Sequence, residues 1–418
     1  MTGRWRKRWL ASAGAALAAA GCGHPSLAPS IGAEPELRVG VASARPSVSL
    51  GGDGALVLTD DGSGQIIGSI AAGVHWTVIP DPAGVRLVRS DGSQTDPHAG
   101  VFAVNVTEGR LAMADGRGYR GRLDVTRDAG GGGVLVVNRV PVESYVAAVI
   151  AAEMGPRRPD EMPALLAQAI VSRTFALKNR GRWEGQGVDA FADVRDQVYP
   201  GAASETPQAW DAVRRTAGQV LEYHGGLVDA YFHSTCGRST AGVDEAFKTA
   251  MPRPYLRPVS DASGGGHYYC DISPRFQWRE EWDGSKLRAI LSRTLPAVMN
   301  VGGDGLQRIA DIAVTRTTRS GRVGELRIVF PHGDVRVSGP DVRNVLRPEP
   351  DRPLGSQAFQ LQVTKQGGEV TRLVAAGSGW GHGVGFCQWG AVGRARAGQS
   401  YSSILAAYFP GTSVAKLY

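Results

Sequence analysis

The chain reads as an α+β protein: a β-rich N-terminal region followed by a mixed α/β domain. Three features of the sequence predict this. Short apolar runs broken by Gly and Asp turns fill residues 36–137, two helical periodicities follow Val140, and short strands alternate with loops beyond Asn179. Of 418 residues, 42% are hydrophobic and 20% charged, a globular balance that excludes a fully disordered chain. The 57 glycines follow no three-residue period, which excludes collagen. The formal charge of +7 owes four of its units to Arg4, Arg6, Lys7 and Arg8. Without those four, the 46 basic side chains fall to 42 against 39 acidic ones, and a chain that near neutral has no electrostatic claim on nucleic acid.

The first element is an address. A basic stretch precedes an apolar run from Leu10 to Ala20 that is too short to span a bilayer. Residues 1–21 therefore read as a secretory signal peptide. Ala19-Ala20-Gly21-Cys22 resembles a bacterial lipobox, in which Cys22 is lipidated and becomes the new N-terminus; an ordinary cleaved signal is the alternative. Gly23 after the Cys suits outer-membrane sorting, so the expected location is the cell envelope, as an outer-membrane lipoprotein facing the periplasm. Residues 22–35, small and Pro-containing, read as a tether.

In the β-rich region, Leu37–Val41, Leu56–Leu58, Val85–Val88 and Val134–Val137 are predicted strands, separated by turns such as Asp60-Asp61-Gly62 and Asp91-Gly92. Pro141 suits a helix start. Val142, Val146 and Val149 share one face, and Glu153 continues it before the break at Gly155-Pro156. Asp160 is the predicted N-cap of the second helix, whose apolar face carries Met162, Leu165, Leu166 and Ala169, with Arg173 four residues on.

Glu153 is the first candidate for chemistry. Its neighbours are uncharged, and both burial and the negative end of a helix raise a carboxyl pKa, as a general acid needs. On pattern alone, a Glu pointing to water from a frayed helix end is the stronger reading. Arg173 is either paired with an anion or snorkelling at the rim of the core. In Gly377–Phe386 glycine occupies every second position, which in an extended chain strips one face bare and puts Ser378, Trp380, His382, Val384 and Phe386 on the other. Close approach of a ligand or another backbone is the usual reason for such a run.

His233-Ser-Thr-Cys236 and His267-Tyr-Tyr-Cys270 share one spacing. Two His and two Cys suit a closed structural zinc site, and a Cys236–Cys270 disulfide is the alternative outside the cytoplasm. Cys387 then remains an unpaired thiol. No HExxH, GxSxG or Walker loop is present, so zinc-metalloprotease, α/β-hydrolase and P-loop readings have no support.

Taken together, the blocks VPVESYVAAVIAAEM (140–154), ALLAQAIVSRTFALKN (164–179), Asp196–Tyr199, Thr216–Leu221, YFHSTCGRST (231–240), PYLRPVSD (254–261), GSGWGHGVGFCQWGA (377–391) and YFPGT (408–412) resemble the SpoIID/LytB family in type and order. The resemblance implies one catalytic domain with a groove over residues 138–418, acting as a peptidoglycan lytic transglycosylase that prefers strands without stem peptides. It places the catalytic glutamate on Glu153 and so reverses the reading from pattern alone. It places the family's arginine on Arg173. Gln197, Tyr199, His233, Ser234, His382 and Gln388 become candidates for positioning sugar, with Trp380 and Trp389 as stacking faces or core. The chain departs from the family in Ala152 and Gly155 around the glutamate, in Cys236-Gly237-Arg238, and in Cys387. The resemblance also lifts the zinc reading, with no cofactor needed for catalysis. Expected partners are glycan strands, the membrane through a lipid anchor, and a cell-wall amidase if the protein is a non-catalytic enhancer instead.

Overall fold

The computed structural model describes residues 32–130, 132–299 and 308–418. The signal segment, Cys22 and most of the expected tether lie outside the described residues. The fold is α+β. Eight α-helices are present among the described residues: α1 (Val142–Met154), α2 (Met162–Lys178), α3 (Pro207–Arg215), α4 (Val243–Ala246), α5 (Gly284–Met299), α6 (Gly339–Val345), α7 (Gln388–Arg396) and α8 (Tyr401–Tyr408). None is long and apolar enough to cross a membrane.

The β-rich region forms two sheets. One has seven strands in the order Ala190–Phe191, Glu36–Arg45, Val134–Pro141, Arg122–Arg127, Gly100–Asn105, Leu56–Asp60 and Ile66–Ile70. The other has five, Gly84–Val88, His75–Asp81, Val48–Gly52, Ala112–Ala114 and Arg117–Tyr119. Alternate residues such as Leu56, Leu58, Leu123 and Val125 point inward, and the same core continues through Val146 and Ile150 of α1 to Leu405 and Phe409 near the C-terminus. The β-rich region is thus one wall of the body that carries the helices. Glu34 and Pro35, assigned to the tether, are part of that body. The Pro35 carbonyl accepts from the Val142 N–H at 2.9 Å and the Glu34 carboxylate from the Glu143 N–H at 2.8 Å, which satisfies two donors at the start of α1.

Helix α1 is buried nearly all round, from Tyr145 to Ala151, instead of on one face. Its ends are set locally: Pro141 precedes it, and Gly155, at φ 64°, stops it ahead of Pro156. The entry to α2 differs from the expected Asp160 cap. Residues Pro159–Glu161 form a 3₁₀ turn in which the Glu161 carboxylate accepts from the Arg158 N–H at 3.0 Å. Asp160 is exposed and pairs with Arg158, while buried Glu161 binds Arg396 of α7.

Within the expected single domain 138–418, residues 277–378 build a second hydrophobic core. Trp282, Leu287, Leu291, Leu326, Val342 and Leu373 fill it, between α5, α6 and two three-stranded antiparallel sheets. Its first strand, Gln277–Asp283, pairs with its last, Glu369–Ser378, and Gln277 faces Ser378. The unit therefore leaves and re-enters the body at adjacent points, and both lie beside the cleft described next.

Candidate active site

Helix α1 ends at a cleft of about 350 Å³ lined by Glu153, Gly155, Arg157, Ser234, Arg275, Gln388 and Trp389, among others. Four separate segments meet there: the end of α1 with the turn after it, the loop after strand Phe232–His233, the loop of Pro274 and Arg275, and the first turns of α7. Gln388 Nε2 donates to Glu153 Oε2 at 3.2 Å, so residues 235 positions apart define the site. Burial pushes the Glu153 carboxyl pKa up, and the donors from Gln388 and the Val198 backbone offset that only in part. Among the described residues, Glu153 is the only acid lining the cleft. Arg157 lies over the Trp389 ring at 5.1 Å, and Arg275 over the Trp380 ring at 4.6 Å. These two arginines were missed from sequence. Each sits in a Pro-flanked loop with no periodicity, and only the fold brings them to the glutamate.

Arg173 is elsewhere. It is fully buried and pairs with Glu143, at the opposite end of α1, through Nε at 3.0 Å and through Nη2. Its Nη1 also donates to the Gln219 carbonyl at 3.0 Å. Glu143 in turn accepts from the Gly218 N–H at 2.9 Å and the Tyr418 hydroxyl at 2.6 Å. The assignment of Arg173 to substrate is therefore corrected: it is a buried tie between α1, α2 and the C-terminus.

Tyr199 is also corrected. It is buried, packs its ring tilted against Tyr145 at 4.9 Å and donates to Asn138 Oδ1 at 2.8 Å, away from the cleft. Gln197 is buried and does not line the cleft; its Oε1 accepts from the Tyr145 hydroxyl at 3.2 Å, and its Nε2 has no partner among the described residues. The two histidines pack against each other at 5.5 Å between centroids and do not line the cleft. His382 donates from Nε2 to the Phe232 carbonyl at 2.8 Å and accepts at Nδ1 from the Val384 N–H at 3.0 Å. His233 donates from Nδ1 to the Val384 carbonyl at 3.1 Å. Burial lowers both pKa values to about 3, so both rings are neutral and serve as backbone clips rather than sugar contacts. Ser234 and Gln388 remain as cleft residues.

The glycine-rich segment is extended only at its ends, Glu369–Ser378 and Phe386–Cys387. Between them the glycines at 379, 381, 383 and 385 all have positive φ, so no bare strand face forms. The reason for the run is another backbone. A Cβ on Gly379 would stand 2.7 Å from the Thr235 carbonyl oxygen, and one on Gly385 2.3 Å from that of Tyr231. The glycines let this segment lie against residues 231–236 and so deliver Gln388 to Glu153.

The two-His, two-Cys zinc set does not assemble. His267 is exposed and pairs with Asp271, and His233 is turned to Val384. Cys236, Cys270 and Cys387 are free thiols, which also removes the Cys236–Cys270 disulfide in this state.

Residues 130–223 match the family model described as Stage II sporulation protein (SpoIID), and residues 266–385, which contain the second core, match a domain of unknown function (DUF8618). An uncharacterized protein of Brachyspira hyodysenteriae is 29% identical over 285 residues, covering 67% of this chain and 68% of that protein. The amidase enhancer of Bacillus subtilis is 27% identical over 286 residues, 61% of this chain but only 39% of that longer relative. Stage II sporulation protein D of Bacillus subtilis is 25% identical over 296 residues, 67% and 76% of the two chains. With the SpoIID match running from the strand before α1 to the strand after α3, and with relatives of both names, the comparisons support the resemblance of this chain to the SpoIID/LytB family.

Proposed function

We propose that this chain, with its likeness to SpoIID proteins, is a peptidoglycan lytic transglycosylase with Glu153 as its single acid and base. The observation that carries the reading is a cleft carboxyl whose pKa is raised by burial, held by Gln388 and, among the described residues, without a second cleft acid or an ion-pair partner. Protonated Glu153 donates to the bridging oxygen between N-acetylmuramic acid and N-acetylglucosamine, and an oxocarbenium-like centre develops at C1. The carboxylate then takes the proton of the muramic C6 hydroxyl as that oxygen bonds to C1. The product is a 1,6-anhydro end, and no water is consumed. Hydrolases that deliver water generally use a second carboxylate, and the described residues place none in the cleft. Trp389 offers a face to a sugar ring, and Arg157 and Arg275 offer charge to muramic carboxylates. The signal-like segment and Cys22 support work in the envelope on a lipid anchor.

The test is to incubate the protein with glycan strands and measure anhydro ends by mass spectrometry. Their absence, with glycan binding intact, overturns the reading. A second reading, a non-catalytic partner of an amidase, is favoured by the name of the amidase enhancer relative. It predicts that wild type and Glu153→Gln stimulate an amidase equally.

A further inference from the structure

Beneath Gln388, on the side away from the cleft, four buried side chains converge: Cys236, Asp261, Cys270 and Cys387. One ligand atom from each lies within 4.8 Å of the others. Cys236 Sγ and Cys270 Sγ are 3.5 Å apart. A tetrahedral ion with sulfur ligands at about 2.3 Å holds them about 3.8 Å apart, whereas a disulfide needs about 2.05 Å.

The surroundings are arranged for anions. The Cys236 and Gly390 N–H groups point at Cys387 Sγ, at 3.1 and 3.3 Å. Cys387 is also the residue before the first turn of α7, where the helix field favours a thiolate. Asp261 accepts from the Cys270 N–H at 3.0 Å, the Tyr408 hydroxyl at 2.7 Å and Arg394 at 3.4 Å. On the opposite side Arg322, 2% exposed, donates only to the carbonyls of Cys236 and Ser239, and forms no ion pair among the described residues. Three thiolates and a carboxylate around a divalent cation carry net negative charge, which two buried guanidiniums answer. Gly390 makes room: a Cβ there would stand 2.0 Å from the Tyr408 hydroxyl and 2.8 Å from Asp261.

We propose that Cys236, Cys270 and Cys387, through sulfur, and Asp261, through a carboxylate oxygen, bind one zinc-class divalent cation in a closed structural site. Binding releases the three thiol protons to solvent and fills all four positions with protein, leaving none for substrate. Sulfur-rich tetrahedral donors select zinc over calcium or magnesium. The ion clamps three segments that are distant in sequence: the 231–236 loop, the turn carrying Asp261 and Cys270, and the start of α7. The site holds whether or not Glu153 cuts glycan.

The test uses the full chain, purified without chelator after growth in zinc. Elemental mass spectrometry should find one zinc per chain. Replacement with cobalt(II) should give sulfur-to-cobalt charge-transfer bands and intense tetrahedral d–d bands, a readout that needs no variant. Asp261→Asn and Cys387→Ser should each weaken zinc binding at least about tenfold, while His267→Ala should leave it unchanged. Metal-free protein whose peptides show a Cys236–Cys270 disulfide would overturn the proposal. So would zinc that survives Cys387→Ser and Asp261→Asn but is lost with His267→Ala.

Discussion

Glu143 and Glu153 stand at opposite ends of one helix, about 15 Å apart at 1.5 Å per residue. Glu143 is held by Arg173, the Gly218 N–H and the Tyr418 hydroxyl. Glu153 has one side-chain donor, a neutral amide, and opens on a cleft. The same side chain is therefore an ion-paired tie across the fold at one end and, at the other, a carboxyl whose pKa burial raises. For the acid catalysis proposed above, what matters is that no cation among the described residues offsets the burial of Glu153.

Replacement at the two ends should separate activity from stability. Glu153→Gln keeps size and hydrogen bonding but has no proton to give. Formation of anhydro ends, followed by mass spectrometry, should fall by a factor of about 10² to 10⁴ with the fold unchanged. Arg173→Ala strands Glu143 without its cation. Denaturant unfolding should show a loss of about 3–5 kcal/mol, while the rate per folded molecule at low temperature stays near wild type. If Arg173→Ala instead abolishes the rate of a fully folded protein, the contrast between the two ends fails.

pH sharpens the same contrast. The Glu153 pKa is raised in the folded state, so between its unfolded and folded values the native chain holds more protons than the unfolded one. Its contribution to stability is present below the unfolded value and is lost as pH rises through the folded value. Glu153→Gln should therefore melt with wild type at low pH and above it at neutral pH. The cleavage rate should fall as pH rises through the folded pKa, because the proton is then gone.

A smaller effect is expected at Gln388. Its amide lowers the Glu153 pKa, so Gln388→Leu should move the alkaline limb of the pH–rate profile to higher pH and cost about tenfold or less in rate. The smallest is Tyr199→Phe. It removes one buried hydrogen bond to Asn138, worth about 1 kcal/mol by thermal unfolding, and should leave the rate alone.

The candidate site was partly legible in the chain. Glu153, Ser234 and Gln388 line the cleft, whereas Arg173, Tyr199, His233 and His382 serve the fold. The matching His-x-x-Cys spacings pointed to the wrong pairs because spacing reports only local geometry. Cys236 and Cys270 do meet, but the residues that join them are Cys387 and Asp261. Asp261 closes the PYLRPVSD block, and nothing local marks it as a ligand. Arg157 and Arg275 carried no signal either.

By itself the sequence determined the α+β class, the stop of α1 at Gly155-Pro156, and the glycines that allow one backbone to lie on another, because turn chemistry and steric exclusion act within a few residues. Only the tertiary structure decided that 277–378 builds its own core, which glutamate pairs with Arg173, and which one faces the cleft. Desolvation and pairing depend on groups far away in the chain, such as Gln388, 235 positions from Glu153, and no local pattern records them.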